Sequence, residues 1–297
     1  MELEKKYLLE DPPEDLYKSH STPIEQVYVI VTEKEELRVR NKGSKFLLTL
    51  KKGSGTARQE VEINIFEEQY KLFAQQVVGE VIHKKRLEYP VQGLTAEIDV
   101  YEDHLEGLAV VEVEFPSSEC MEAFSAPSWF GEEVSLMEEF KNKNLALNGF
   151  PAHLVRRWKQ GARPAWHYRQ AGVVPFRKSD AGCEVLLITS RGAGRWIIPK
   201  GIIEPYLSPA DSAAKEALEE AGASGTVLDR ISEAYSYEKW NGTCTVTLFP
   251  LLVTEIHSQW AEEGVRERGW VGQEEIEDYV ENTEMARAIV KLLSELQ

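Results

Sequence analysis

Apolar and polar positions alternate through most of the first 115 residues. Tyr28–Val31, Glu36–Val39, Lys45–Leu50, Arg58–Ile65, Leu94–Tyr101 and Leu108–Phe115 each alternate or favour β-branched residues, which predicts strands. Gly43 and the Gly-Ser-Gly at 53–55 read as hairpin breaks. Glu67–Val77 has helical spacing, and residues 132–146 read as helix again. The stretch 150–166 carries two prolines, a glycine and four basic residues, and the pattern changes after it. Gly172–Arg177 and Cys183–Thr189 read as strands, Pro209–Ala221 as a helix, Gly242–Thr254 as a long strand and Thr283–Leu296 as a closing amphipathic helix. Strands alternating with helices predict an α/β sandwich. The chain therefore reads as a first domain over 1–149, a linker over 150–165 and a second domain over 166–297.

Within the first domain the charged positions keep one parity. Glu2, Glu4 and Lys6 alternate; so do Arg38 with Arg40, Thr49 with Lys51, and Arg58 with Glu60 and Glu62. Lys84 with Arg86, Glu97 with Asp99, and Glu112 with Glu114 do the same. A spacing of two puts each set on one face of its strand. Taken singly, such a doublet is the solvated face of an antiparallel sheet. Repeated on successive strands, with apolar Leu3, Val39, Leu50, Val61, Ile63, Ile98, Val111 and Val113 between, it predicts a barrel with charges inside and apolar residues packed outward. Two carboxylates on one face suit a hard divalent cation.

In the second domain the informative stretch is 201–223. Ser208 followed by Pro209 marks a helix start, Asp211 adds favourable charge in the first turn, and Gly222 marks the stop. Glu216, Glu219 and Glu220 stand at i, i+3 and i+4, which stacks three carboxylates on one helical face. They would repel one another unless a cation lay among them; the plain alternative is an acidic solvated face.

Charge sharpens the picture. The chain has a net charge of −16, with −12 in residues 1–150 and −4 in the remainder, which argues against nonspecific nucleic-acid binding. A partner that is a polyanion must then be met by a local basic cluster or by metal ions. Three widely spaced cysteines, Cys120, Cys183 and Cys244, predict a reducing compartment and no zinc site. The charged N-terminus lacks a signal-like apolar region, and no stretch reaches the roughly 20 apolar residues of a membrane span. The reading is of a cytoplasmic protein without membrane or nucleic-acid partners.

Motif order then brings two families into view. Glu-x-Glu-x-Lys at the start, the segment 24–28, Arg38-x-Arg40, Thr49-x-Lys51, Arg58-x-Glu60-x-Glu62, Lys84-x-Arg86, Glu112-x-Glu114 and the segment 127–145 resemble the CYTH proteins, the triphosphate tunnel metalloenzymes. The resemblance implies an eight-stranded antiparallel tunnel in which Lys6, Arg38, Arg40, Lys51, Arg58, Lys84 and Arg86 bind phosphates. Glu2, Glu4, Glu60, Glu62, Glu112 and Glu114 would be metal ligands or water-positioning acids, Glu4 among the catalytic groups, with Mg²⁺ or Mn²⁺. Inorganic tripolyphosphate ranks first as substrate, then thiamine triphosphate, then cyclisation of ATP.

Residues 201–223 resemble the Nudix box, G-x5-E-x7-R-E-U-x-E-E-x-G-U, through Gly201, Glu216, Ala217, Glu219, Glu220, Gly222 and Ala223. Leu207 stands in place of the first glutamate and Lys215 in place of the arginine. This resemblance implies Glu216, Glu219 and Glu220 as catalytic metal ligands. The segment 195–201 is similar to the branch acting on diadenosine polyphosphates and diphosphoinositol polyphosphates, with Lys200 on a phosphate. Arg191 and Arg195 are further phosphate candidates, and Tyr235, Tyr237 and Trp240 are candidates for stacking on a base. The implied architecture is an α+β antiparallel tunnel barrel followed by an α/β/α Nudix sandwich. The two departures from the box favour a second reading, in which the Nudix half is a degenerate nucleotide sensor regulating the tunnel.

Overall fold

The computed structural model describes residues 3–53, 59–179 and 182–296. It divides into two compact units, Met1–Pro164 and Ala165–Gln297.

The first unit is a nine-stranded antiparallel sheet rather than the eight strands expected. Its strands are β1 (Leu3–Leu9), β2 (Ser21–Val31), β3 (Glu35–Lys42), β4 (Lys45–Lys52), β5 (Gln59–Ile65), β6 (Ile82–Val91), β7 (Leu94–Tyr101), β8 (Ala109–Phe115) and β9 (Phe130–Glu133). They are ordered β5-β4-β3-β2-β6-β7-β8-β1-β9. Hairpin register puts the charged doublets on one face, rung by rung: Arg38 opposite Thr49, Lys51 opposite Glu60, Arg86 opposite Asp99, Glu97 opposite Glu112 and Lys6 opposite Glu112. On the other face, α1 (Glu67–Ala74) packs Tyr70 on Val27 and Val39, with Phe46, Leu48, Ile65 and Phe73 around them.

Further along the same strands the charged face turns apolar. Leu8 follows Lys6, Ile82 precedes Lys84, Tyr101 follows Asp99 and Val110 precedes Glu112, and all four belong to one buried cluster with Tyr28. Phe140, Leu145 and Leu154 complete this floor. Two expectations change here. Residues 132–146 form not one helix but the end of β9, a short 3-10 turn and α3 (Asn142–Asn148). Pairing of Tyr7 with Glu133 draws that segment onto the edge of β1, and backbone pairing overrides helical propensity. The stretch 150–165 is not a bare linker: it contains α4 (Ala152–Lys159), which puts Leu154 and Trp158 against the floor and is held by Glu132 on His153 (2.9 Å) and Arg157 (2.7 Å).

In the second unit β10 (Arg169–Ser179) and β16 (Gly242–Ile256) run parallel at the centre of a mixed sheet. Around them lie β11 (Gly182–Thr189), β12 (Trp196–Ile197), β13 (Lys200–Ile202), β14 (Ala223–Val227), β15 (Glu233–Lys239) and β17 (Arg268–Gly272). Alternation along β10 explains the layers. Ala171 and Val173 face α5 (Pro209–Ala221) through Ala213 and Ala217, whereas Val174 and Phe176 face α7 (Thr283–Ser294) in a cluster with Met285, Ile289, Leu292 and Leu293. A short helix, α6 (Ile276–Tyr279), precedes α7.

Candidate active sites

The charged face of the first unit is a set of crossed ion pairs. On β3–β5, Lys51 meets Glu60 at 2.6 Å, Arg38 meets Glu60 at 3.8 Å, and Arg40 pairs with Glu62, which also accepts a hydrogen bond from Thr49 Oγ1 at 2.8 Å. The Nε atoms of Arg38 and Arg40 are buried and lack hydrogen-bond partners among the described residues. A buried unpaired donor is costly, so these two guanidiniums keep donor capacity for an incoming acceptor.

On β1 and β6–β8, Asp99 is fully buried between Lys84 and Arg86, and the Arg86 fork grips it with Nε and Nη2, each at 2.6 Å. Arg86 also pairs with Glu97 and, at 3.1 Å, with Glu112; Lys6 meets Glu112 at 2.7 Å. Burial, and then the neighbouring Arg86, pull the Lys84 ammonium down to about 8, against the attraction of Asp99. Burial pushes the Glu112 carboxyl up, but Lys6, Lys84 and Arg86 outweigh it and hold the group below its usual range. Glu4 lies directly opposite Glu114, both exposed at the rim. Like charges across one rung repel, which a cation between them would relieve.

In the second unit α5 starts as the sequence predicts: Ser208 Oγ accepts from the Asp211 N–H at 3.1 Å. It ends at Gly222, which is left-handed at φ 58°. Arg268 Nη1 donates to the Ala221 carbonyl at 2.6 Å, which satisfies an end carbonyl of the helix. Glu216 lies so close to Gly201 that a Cβ there would stand 1.7 Å from Oε1, which explains glycine at this position. Burial, reinforced by Glu220, pushes the Glu216 carboxyl up to about 8. Glu219 is held by Lys215 at 3.0 Å. Glu220 accepts from the Lys200 N–H at 2.9 Å and pairs with Arg266. The Lys200 ammonium reaches Tyr237 Oη at 2.9 Å and Gln170 Oε1 at 3.2 Å.

A CYTH domain model matches residues 1–145 and a NUDIX domain model matches residues 166–293. An inorganic triphosphatase of Nitrosomonas europaea is 38% identical over 149 residues, spanning 50% of this chain and 97% of that protein. Nudix hydrolase 17, mitochondrial, of Arabidopsis thaliana is 32% identical over 162 residues, spanning 52% of this chain and 86% of that protein. The chain belongs to the CYTH family in its first half and to the Nudix family in its second. A crystal structure of an inorganic triphosphatase aligns at 37% identity over 50% of this chain and 95% of its own, with a TM-score of 0.42. Membership of the two families makes the chain a hydrolase of phosphoanhydride bonds with a tunnel-barrel half and a Nudix-fold half.

In the CYTH half, Lys6, Arg38, Arg40, Lys51, Lys84 and Arg86 share the charged face. Glu2 and Arg58 lie outside the described residues. The expected carboxylates divide: Glu4, Glu112 and Glu114 lie on β1 and β8, whereas Glu60 and Glu62 are on β5, at the far end of the strand order. Asp99 is the residue that reading the sequence missed as a site member, although its parity with Glu97 is visible. In the Nudix half the box glutamates occupy one side of α5, but each carboxylate has its own surroundings. Arg266 and Gln170 had no motif to announce them. Arg191 pairs with Glu262, Arg195 is exposed, and Tyr235 belongs to the core rather than to a base-stacking surface.

Among the described residues no three acidic, histidine or cysteine side chains converge at metal-binding distance. The donor chemistry nonetheless fits a hard divalent cation. Glu4 faces Glu114 in the CYTH half. In the Nudix half Glu216 makes no hydrogen bond among the described residues, and burial with Glu220 beside it disfavours its charged form, a cost that a cation would relieve. The same donors suit Mg²⁺ and Mn²⁺. Among the described residues no helix is long and apolar enough to cross a membrane.

Proposed function

We propose that this is a two-site, metal-dependent phosphohydrolase. The CYTH half hydrolyses a linear triphosphate, with inorganic tripolyphosphate favoured over thiamine triphosphate. The Nudix half hydrolyses a diphosphate joined to another group, of the diadenosine polyphosphate or diphosphoinositol type. The observation that carries the reading is the charged face on which Arg38, Arg40, Lys51, Lys84 and Arg86 converge, two of them with buried unpaired Nε donors.

Each basic residue on that face already holds a carboxylate, so the face is close to neutral at rest. An incoming triphosphate exchanges Glu60 and Glu62 for its own oxygens on Arg38, Arg40 and Lys51, and planar guanidiniums suit bidentate contact with phosphate. Glu4, Glu112 and Glu114 would hold a divalent cation at the rim, and Glu216, Glu219 and Glu220 would hold one in the Nudix half. Bound there, such an ion polarises phosphoryl oxygens and lowers the pKa of water. Lys200, fixed by Gln170 and Tyr237, supplies a cation beside Glu220 for a diphosphate oxygen.

Product formation is the test, measured as phosphate release with tripolyphosphate, thiamine triphosphate, ATP and diphosphoinositol phosphates and as the nucleotide products separated by chromatography with diadenosine polyphosphates and ADP-ribose, each with Mg²⁺, Mn²⁺ or chelator. Tripolyphosphate and one linked diphosphate are expected to turn over, and only with metal. Turnover in excess chelator would sink the metal mechanism. A linked diphosphate that is never cleaved, yet alters tripolyphosphate turnover, would make the Nudix half a sensor.

A further inference from the structure

The Nudix half departs from its box at two positions, Leu207 and Lys215, and the structure joins them through a third. The segment Glu204-Pro205-Tyr206-Leu207 is a tight turn: the Leu207 N–H donates to the Glu204 carbonyl at 2.9 Å. The ends of such a turn lie within about 7 Å of each other. An acid at either end can therefore serve the same patch of helix α5. Here the acid is at the near end. Glu204 Oε1 accepts from Lys215 Nζ at 3.0 Å, and the same Nζ donates to Glu219 Oε2 at 3.0 Å.

We propose that Glu204 replaces the acid missing at 207: as a positioning residue it ties the turn to Lys215, and through Lys215 it orients Glu219 for the divalent cation. This rests on the metal-dependent reading of the Nudix half. Three further observations support it. Glu204 is a loop residue with a half-buried side chain, and its Oε2 is buried without a hydrogen-bond partner among the described residues. That atom stays inside because Lys215 holds its sister oxygen. The single Lys215 Nζ stands at the same distance, 3.0 Å, from Glu204 Oε1 and from Glu219 Oε2. The ammonium is therefore shared between loop and helix, not committed to Glu219. Without Glu204, Lys215 loses its anchor on the turn and no longer fixes the position of Glu219. Lysine suits the shared role because its ammonium has three donors to distribute.

The test uses the full chain and Mn²⁺ as the probe, with Mn²⁺ affinity read by electron paramagnetic resonance beside cleavage of the linked diphosphate. A background variant, Glu4→Gln, removes the tunnel's rim acid so that the Nudix site dominates the signal. Glu204→Gln should weaken Mn²⁺ binding and cleavage about 10- to 100-fold, the range for residues that support metal ligands. Leu207→Glu alone should change little, because the role is already filled. Leu207→Glu added to Glu204→Gln should restore most of both, which a merely structural role for Glu204 would not allow. Lys215→Gln should match Glu204→Gln, and the two together should lose no more than either alone; Lys215→Gln by itself decides the matter if Glu204→Gln folds poorly, since undiminished Mn²⁺ affinity there would overturn the relay. Undiminished Mn²⁺ affinity in Glu204→Gln, or no rescue by Leu207→Glu, would overturn the proposal alone. An intact chain whose Nudix half binds no Mn²⁺ would overturn the functional reading and the proposal with it.

Discussion

Lys84 shows how burial sets the chemistry of a single side chain. Its ammonium is enclosed with Asp99 and Arg86, and burial leads the effects that bring its pKa down to about 8. In the unfolded chain it titrates near 10.5, so between about 8 and 10.5 the unfolded state binds more protons and stability rises with pH across that window. Phosphate binding follows the opposite sign: the charge is present below about 8 and lost above it. The KM for tripolyphosphate is therefore expected to rise as pH passes 8, and Lys84→Met should bind more weakly at pH 7 and lose that limb of the profile. An unchanged limb in the variant would assign it to another group. Gly201 gives a second prediction. A Cβ at 201 meets only the far end of the Glu216 side chain, which is flexible, so Gly201→Ala should displace the carboxylate while the fold survives. Linked-diphosphate cleavage should fall at least about tenfold, a little over 1 kcal/mol of barrier, with tripolyphosphate hydrolysis unmoved. Comparable losses in both activities would mean the change had spread beyond its neighbour. Reading the sequence reached Glu216 and Gly201 because both sit in a spaced motif. It missed Asp99 and Arg266, which matter through the partners the fold brings to them.

At the scale of elements, the strands of the charged face were legible because parity is a two-residue signal that survives without tertiary context. Helix α5 was legible to the residue because Ser208, Pro209 and Gly222 punctuate it chemically. The short strands β12, β13 and β14 escaped notice since each is defined by a neighbour rather than by its own pattern. The same holds for α4, whose basic, proline-flanked sequence looks like a linker, yet whose Leu154 is buried under the tunnel floor. We place the boundary between the halves after α4. A chain ending at Pro164 should be more stable than one ending at Gly149 by about 2–3 kcal/mol, the worth of one buried leucine. Urea denaturation of both would measure it, and equal midpoints would return α4 to the linker.

At the scale of the whole molecule, the acidic balance finds its explanation in the sites. The first half carries −12, and part of that charge faces the basic residues of its own charged face: Glu60 on Lys51 and Arg38, Glu62 on Arg40, Asp99 and Glu97 on Arg86. Such pairing keeps the face close to neutral at rest, while the net negative charge of the whole protein repels nucleic acid. Each half has its own core, its own carboxylates and its own cations, so the account requires two sites that can be silenced separately. The direct measurement is of both activities, with Mg²⁺ and with chelator, on three proteins: the intact chain, Glu4→Gln, and the double variant Glu219→Gln with Glu220→Gln. The account predicts that Glu4→Gln loses most tripolyphosphate turnover and keeps linked-diphosphate cleavage, that the double variant does the reverse, and that chelator abolishes both. Loss of both activities in either variant, or tripolyphosphate hydrolysis that persists in Glu4→Gln or in chelator, would contradict it.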